Sequence, residues 1–395
     1  MNILFLSRWF PYPQDNGSKI RIHNLLTNLA KSNEVTLISF VDQAEIDTEY
    51  YRQYSGVSNI EVVPWKPYNS RSLKALLGLF NPIPRFILDT YSPEMDGLIL
   101  NLIERNNFDL IIASQLSMAS YFSCFGGIPA IFEELEIGLF LGQAENSKSL
   151  LRRFRHRMTW IKLQRYLSWL LESFERCTVV SAQECDLFSQ NFPLHRKKIE
   201  IIPNCVQMKD YEHVNVDPIP NQLIFSGSFR YHANYEAMLW FVREIFPIIL
   251  EQLPDTKLII TGDHNNQSLP STKNIILTGY IEDIKPVIAS AWVSIAPLLI
   301  GGGTRLKILE AMAIGVPVVS TSKGAEGLDV NHGEHLLIAN SPNEFANDVL
   351  MILRDRNLRE HLVVNARNLV KDKYNWEVVN NRFVQIADQV NSSSF

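Results

Sequence analysis

Residues Gly301–Ser320 read GGGTRLKILEAMAIGVPVVS, and the reading of this stretch decides the fold. The run before it, WVSIAPLLI (292–300), is short and apolar, as expected of a strand buried on both faces. Three glycines follow. An apolar helical pattern then runs from about Thr304 to Ile314 and is stopped by Gly315 and Pro317. PVVST (317–321) opens the next strand. Strand, helix and strand in that order predict a βαβ unit with parallel strands and a right-handed crossover.

The same plan extends in both directions. Downstream of Asn221 the predicted strands are NQLIFSGSF, KLIITG, NIILTG, WVSIAP, PVVST and HLLIA. Upstream they are the run Ile3 to Leu6, EVTLISF, IEVVPW, DLIIAS, PAIFEE, CTVVS and IEIIP, with helical patterns between most of them. The polar, proline-rich VNVDPIPN (214–221) reads as a linker. The expected organisation is a first α/β domain over 1–205, a linker over 206–220 and a second α/β domain over 221–373. An amphipathic helix and tail close the chain at 374–395. Ligands of open α/β sheets bind outside the carboxyl ends of the strands, so the site is expected in loops following strands of both halves.

Composition narrows the function. The chain has 395 residues, 46% hydrophobic and 20% charged, with a net charge of −5. That balance gives no global electrostatic case for nucleic acid. The four cysteines, Cys124, Cys177, Cys185 and Cys205, show no CxxC spacing, so buried thiols in a reducing cytoplasm are expected. MNILFLSRWFPYP lacks a basic leader and breaks at Pro11 and Pro13; no apolar run reaches membrane-spanning length.

The glycine stretch asks for an anion. Free N–H groups at a helix start attract phosphate, and glycines let it approach. Thr304 is expected to cap or donate, Arg305 and Lys307 to add charge-assisted hydrogen bonds, and Glu310, two turns beyond Gly303, to accept two ribose hydroxyls. Together these suit a nucleotide-sugar. The residues alone also fit a glycine turn before a core helix with solvated cations. Neither GxGxxG nor the GK[ST] of a P-loop is present.

GGGTRLKILEAMAIGVPVVST…GAEGL resembles the signature of glycosyltransferase family four, the glycosyl transferases group 1, with the GT-B fold. ILFLSRWFPYPQDNGS, SAQECDLF…IEIIPNCV and LIFSGSFRYHANYEAMLWF extend the likeness over most of the chain, closest to bacterial exopolysaccharide-type sugar transferases. The resemblance implies two Rossmann-like domains with parallel sheets facing a central cleft. It implies sugar transfer from a UDP- or GDP-sugar with retained configuration, no metal and no cofactor, to a glycan or lipid-linked acceptor of polysaccharide or envelope synthesis. By its motifs, Glu310 matches the ribose-holding glutamate, Gly17 the glycine after the first strand, and Gly302, Gly303 and Thr304 the diphosphate end. Glu326 falls where an EG pair is usual, and Gly227 and Arg230 lie after the first strand of the second domain. This chain departs in three places. Gly302 stands where the first glutamate of E-x7-E belongs. Ser228 and Asn234 stand near the usual Arg and Lys, so Arg305 and Lys307 are expected to supply that charge. Ser114, Gln115 and Leu116 stand where many members carry a histidine.

In the first half, Glu133 and Glu134 of PAIFEELEIG follow a strand and are the candidate catalytic carboxylates; a solvated acidic loop is the other reading. Lys148, Arg152, Arg153, Arg155, Arg157, Lys162 and Arg165 occur without an acid between them, beside Trp160, Leu163 and Trp169. The segment 148–169 fits peripheral contact with an anionic membrane, or a core helix with a solvated basic face. RSLKALLGLFNPIPRFI (71–87) offers a second apolar and basic patch. No nucleic-acid partner is expected, and the expected location is cytoplasmic, with the inner face of the membrane as the contact. A sugar-nucleotide epimerase of the same architecture and a non-catalytic nucleotide-sugar-binding protein are the competing readings.

Overall fold

The computed structural model describes residues 1–42, 46–146, 149–270, 272–301 and 303–392. The chain forms two compact units. The first is Met1–Pro203 with Asn380–Phe395, and the second is Asn204–Val379.

In the first unit seven strands form one parallel sheet: β1 (Asn2–Ser7), β2 (Glu34–Val41), β3 (Asn59–Pro64), β4 (Leu110–Ser114), β5 (Ala130–Glu133), β6 (Arg176–Val179) and β7 (Ile199–Ile201). Their order is β3-β2-β1-β4-β5-β6-β7. In the second unit β8 (Gln222–Ser226), β9 (Lys257–Thr261), β10 (Ile275–Gly279), β11 (Val293–Ala296), β12 (Val318–Ser320) and β13 (Leu337–Ile338) order as β10-β9-β8-β11-β12-β13. Every predicted strand is present. The apolar runs of the central strands are buried along their whole length, as continuous apolar runs in a parallel sheet should be: Ile3, Leu4, Phe5 and Leu6 are wholly buried, as are Leu110, Ile111 and Ile112, whereas the edge strands β3, β7 and β10 are partly exposed. Each such side chain contributes about 1.5–3 kcal/mol by leaving water.

The order of strands reverses between β1 and β4 in the first unit and between β8 and β11 in the second. A doubly wound sheet leaves a crevice at that reversal, at the carboxyl ends of the strands. Local capping sets the helices that follow. Asn16 accepts from the Lys19 amide at 3.0 Å and starts helix Gly17–Leu29 after β1. Ser341 and Glu344 form a reciprocal capping box that starts helix Pro342–Arg354.

Two expectations change. The helix after β11 begins at Leu306, with Arg305 at the capping position, rather than at Thr304. Gly301 at φ +106° and Gly303 at φ +78° hold the preceding loop out of helical geometry. The stretch 206–220, expected as a linker, folds with the second unit: the Val206 amide donates to the Tyr374 carbonyl and the Ile219 amide to that of Ser290. The closing helix, Trp376–Ser392, begins in the second unit, and its residues from Asn380 onward belong to the first.

Candidate functional site

Each unit carries a set of polar groups at the reversal of its own sheet. In the second unit, Gly227 ends β8 and Asn234 lies on the next helix, His232–Trp240. Lys307, on helix Leu306–Ile314, donates to Asn234 Oδ1 at 2.9 Å and sits 4.0 Å over the Phe225 ring. A Cβ at position 227 would come 2.6 Å from Lys307 Nζ and 2.7 Å from Asn234 Nδ2, so a side chain there would displace both groups. Lys307 thus brings a cation to Asn234, one of the two positions where the sequence lacks one. Burial, reinforced by Arg305, pushes the Lys307 ammonium down to about 7, and Glu310 opposes this.

Glu310 lies one helical turn beyond Lys307 on the same face. Its Oε1 accepts from the Tyr211 hydroxyl at 3.5 Å, a long contact that leaves the carboxylate open to a better donor. Burial raises the Glu310 carboxyl above its ordinary value, with Lys307 and Tyr211 opposing. No ion pair joins Lys307 to Glu310, so both keep capacity for a ligand. Arg305 is buried beside them. A Cβ at Gly301 would collide with the Tyr231 hydroxyl and press on Arg305 Nη2 at 3.0 Å, which accounts for that glycine. The Thr304 hydroxyl, expected to cap, is buried and bonded to nothing in the structure. Gly302 lies outside the described residues. Arg230 is turned to solvent in an ion pair with Asp263, away from Lys307's partners. Glu326 follows β12 and pairs with Lys323.

In the first unit the two adjacent glutamates separate into different roles. Glu133 is wholly buried. Its Oε1 accepts from Arg21 Nε at 2.6 Å and its Oε2 from the Ser114 hydroxyl at 2.6 Å. Arg21 also donates to the Ile202 carbonyl at 2.8 Å. This network ties the helix after β1 to the ends of β4, β5 and β7. Glu134, one residue on, has φ +59° and accepts from Gln115 Nε2 at 2.7 Å. Gln115 itself has φ +69° and lies 3.4 Å from the Ser18 hydroxyl, next to Gly17 at the helix start. Two non-glycine residues in the left-handed region, on neighbouring loops at the sheet reversal, mark stored backbone strain. Burial, together with the Glu133 charge, pushes the Glu134 carboxyl up to about 8, against the pull of Arg21. The shift favours the protonated form, which can donate as well as accept.

The structure brings Gly227, Lys307 and Glu310 together in the second unit; sequence reasoning did not foresee Tyr211 beside Glu310, the Lys307 bond to Asn234, or Arg21. Arg21 had a signal: an arginine inside the buried stripe of an amphipathic helix demands a carboxylate. Among the described residues no group of three or more His, Cys, Asp or Glu side chains has the geometry of a metal site. No helix among them is long and apolar enough to cross a membrane.

Comparison with known proteins agrees with this architecture. Residues 15–210 match the family described as Glycosyltransferase Family 4, and residues 220–355 match Glycosyl transferases group 1. A 44.6 kDa protein in the cps region of Klebsiella pneumoniae is 21% identical over 94% of this chain and 96% of its own. A phosphatidyl-myo-inositol mannosyltransferase of Mycobacterium leprae is 29% identical over 38% of this chain and 42% of its own. Sucrose-phosphate synthase from Thermosynechococcus elongatus superposes with TM-score 0.69 at 17% identity, covering 99% of each chain. Anabaena HepE, solved with UDP and glucose, superposes with TM-score 0.61 at 16% identity over 98% of this chain and all of its own.

Proposed function

Because the chain belongs to the group 1 glycosyltransferases of family 4 and has their two-domain GT-B fold, we propose that it moves a sugar from a UDP- or GDP-sugar, with retained configuration and without a metal, to a glycan or lipid-linked acceptor of polysaccharide or envelope synthesis. The observation that carries this reading is the Lys307–Glu310 face: a cation and a carboxylate one helical turn apart, unpaired with each other, at the sheet reversal of the second unit. The UDP-bound structures of HepE and the cps-region relative support a nucleotide donor and a polysaccharide context.

The chemistry follows from charge. Breaking the bond between the anomeric carbon and the diphosphate places negative charge on the leaving phosphate. Lys307 and Arg305 stand ready to receive it, and preorganised cations lower such a barrier without rearranging. Lys307, close to neutral before binding, becomes protonated as the phosphate arrives. Glu310 takes the ribose hydroxyls in place of Tyr211. In a same-face transfer the departing phosphate accepts the proton of the attacking hydroxyl, so no separate base is required. In the first unit, a protonated Glu134 donates a hydrogen bond to the acceptor. Glu133, held by Arg21 and Ser114, fixes the strand end that presents Glu134. Gly227, Gly303, Thr304 and Glu326 line the approach to the donor within the second unit, Arg230 acts only at its periphery, and Gly17 belongs to the first unit's own set of groups. The work is placed in the cytoplasm, at the inner face of the membrane.

The test is incubation with a panel of UDP- and GDP-sugars, following nucleotide release and the anomeric configuration of the product by NMR, with and without EDTA. Release with retention that survives EDTA is expected. An isomerised donor with no nucleotide released would favour the epimerase. Inversion or loss of activity in EDTA would overturn the retaining or the metal-free part respectively.

A further inference from the structure

The first unit also carries a surface that neither set of buried groups uses. In helix Leu73–Leu77 and the turn after it, Leu73, Leu76, Leu77, Leu79 and Phe80 all face solvent, Phe80 at 92% exposure. Five large apolar side chains within eight residues form a contiguous patch of the kind that marks an interaction surface. On helix Leu150–Leu170, Leu151, Phe154 and Met158 are exposed as well, Leu151 at 84%. Their spacing of three and four residues places them on one helical face.

Lys162 joins the two patches. It lies four residues beyond Met158 and so continues the same stripe. Its ammonium donates to the carbonyls of Gly78 at 3.3 Å, Leu79 at 2.6 Å and Asn81 at 2.8 Å. Three carbonyls use all three of its donors. The turn bearing Leu79 and Phe80 is thereby pinned to the helix face that bears the apolar stripe, and Phe154 lies about 12 Å along the axis from the pin. Stacking of Phe86 on Phe140 adds a second tie, between the helix after the turn and the one before Leu150–Leu170.

Charge identifies the occupant. Arg71, Lys74 and Arg85 flank the first patch; Arg152, Arg153, Arg155 and Arg157 flank the second. Neither Lys66–Leu88 nor Ser149–Trp169 contains an acid, in a chain whose net charge is −5. A second copy of the same surface would set like charges against each other. Only Phe80 and Phe154 of the eight exposed apolar side chains are aromatic, so the surface offers no run of stacking rings for single-stranded nucleic acid. An apolar strip rimmed by arginines suits the headgroup layer of an anionic bilayer. We propose that the Leu73–Phe80 turn and the exposed face of helix Leu150–Leu170, locked together by Lys162, form one docking surface for an anionic lipid membrane. The apolar side chains enter the headgroup region and the arginines lie over lipid phosphates. Lys148, which begins the basic run, lies outside the described residues. The surface deepens the membrane placement proposed above and does not depend on the transfer chemistry.

The experiment is co-sedimentation of the full chain with vesicles of phosphatidylcholine alone and with about 30 mol% phosphatidylglycerol. Binding to the anionic vesicles is expected, about tenfold weaker to neutral ones and similarly weakened by about 0.5 M salt. The triple variant R152E/R153E/R155E and the double variant L77E/F80E should each lose about tenfold in binding to the anionic vesicles. All five side chains are exposed, so the unfolding midpoint and the thermal shift caused by UDP should stay at the wild-type values. Lys162→Met releases the turn without changing any exposed apolar group and should weaken binding a few-fold; unchanged binding would show that the two patches do not act as one. Wild-type protein left in the supernatant, variants that sediment like wild type, or a wild-type dimer that L77E/F80E dissociates would each overturn the proposal. Vesicle binding without any UDP shift would instead count against the nucleotide-sugar reading alone.

Discussion

Both units put a cation and a carboxylate at the reversal of a parallel sheet, yet the two pairs behave in opposite ways. In the first, Arg21 and Glu133 meet at 2.6 Å and bind Ser114 and Ile202 besides. Their capacity is spent inside the protein. In the second, Lys307 and Glu310 sit one helical turn apart on one face but bond to Asn234 and, weakly, to Tyr211 instead of each other. A buried charge satisfied by protein holds the fold; one satisfied only in part holds a ligand. Glu134 falls between the two cases. It shares a loop with Glu133, and burial together with the Glu133 charge raises its pKa although Arg21 lies 3.9 Å away.

The largest expected effect comes from breaking the closed pair. Arg21→Met leaves Glu133 buried without a counter-charge and should cost about 3–5 kcal/mol of folding free energy in urea unfolding. Arg21→Met combined with Glu133→Leu should recover most of it. A single variant as stable as wild type would mean the first pair is as open as the second.

Glu310→Ala should leave folding intact and lower kcat/KM for the donor by about a hundredfold, near 2.7 kcal/mol, through loss of a charged hydrogen-bond acceptor. Unchanged donor kinetics would remove the ribose assignment and leave Lys307 acting alone.

Glu134 sharpens the contrast through pH. Its folded-state pKa, about 8, lies above the ordinary 4.5. The folded protein holds the proton that the unfolded chain releases, so this group's contribution is complete below pH 4.5 and falls as pH rises towards 8. The slope is at most about 1.4 kcal/mol per pH unit. Glu134→Gln should flatten the stability curve between those limits; an identical slope would show Glu134 already ionised.

The smallest effect is a proton count. Lys307 is lowered from 10.5 to about 7, so at pH 8 it is mostly neutral, and a bound diphosphate should restore its charge. Calorimetric titration with UDP at pH 8, in two buffers of different ionisation enthalpy, should reveal uptake approaching one proton. Uptake should shrink at pH 6, where the amine is already charged, and vanish in Lys307→Met. Uptake that is equal in the variant would assign the proton to another group.

Much of this was legible in the linear sequence. The apolar runs named every strand, because a doubly covered parallel sheet demands continuous burial and that demand is local. Gly315 and Pro317 marked the end of the helix after β11 for the same reason. Its start was read two residues early, because positive φ at Gly301 and Gly303 is a property of the loop's path rather than of its composition. The sequence placed Gly227 after the first strand of the second domain; that Lys307 and Asn234 pack against it is visible only in the structure.

The sequence by itself determined the strands, the two α/β halves and the family, and singled out Lys307 and Glu310 on one helix face. Only the tertiary structure decided how Arg21 is shared between two adjacent glutamates, which side chain Lys307 meets, and that Lys162 ties the turn at Leu79 to helix Leu150–Leu170. The physical reason is distance along the chain. Arg21 and Glu133 are 112 residues apart, Asn234 and Lys307 73, and Leu79 and Lys162 83. Hydrophobic periodicity acts over neighbours and can be read in order; the partner of a charge is chosen by the fold.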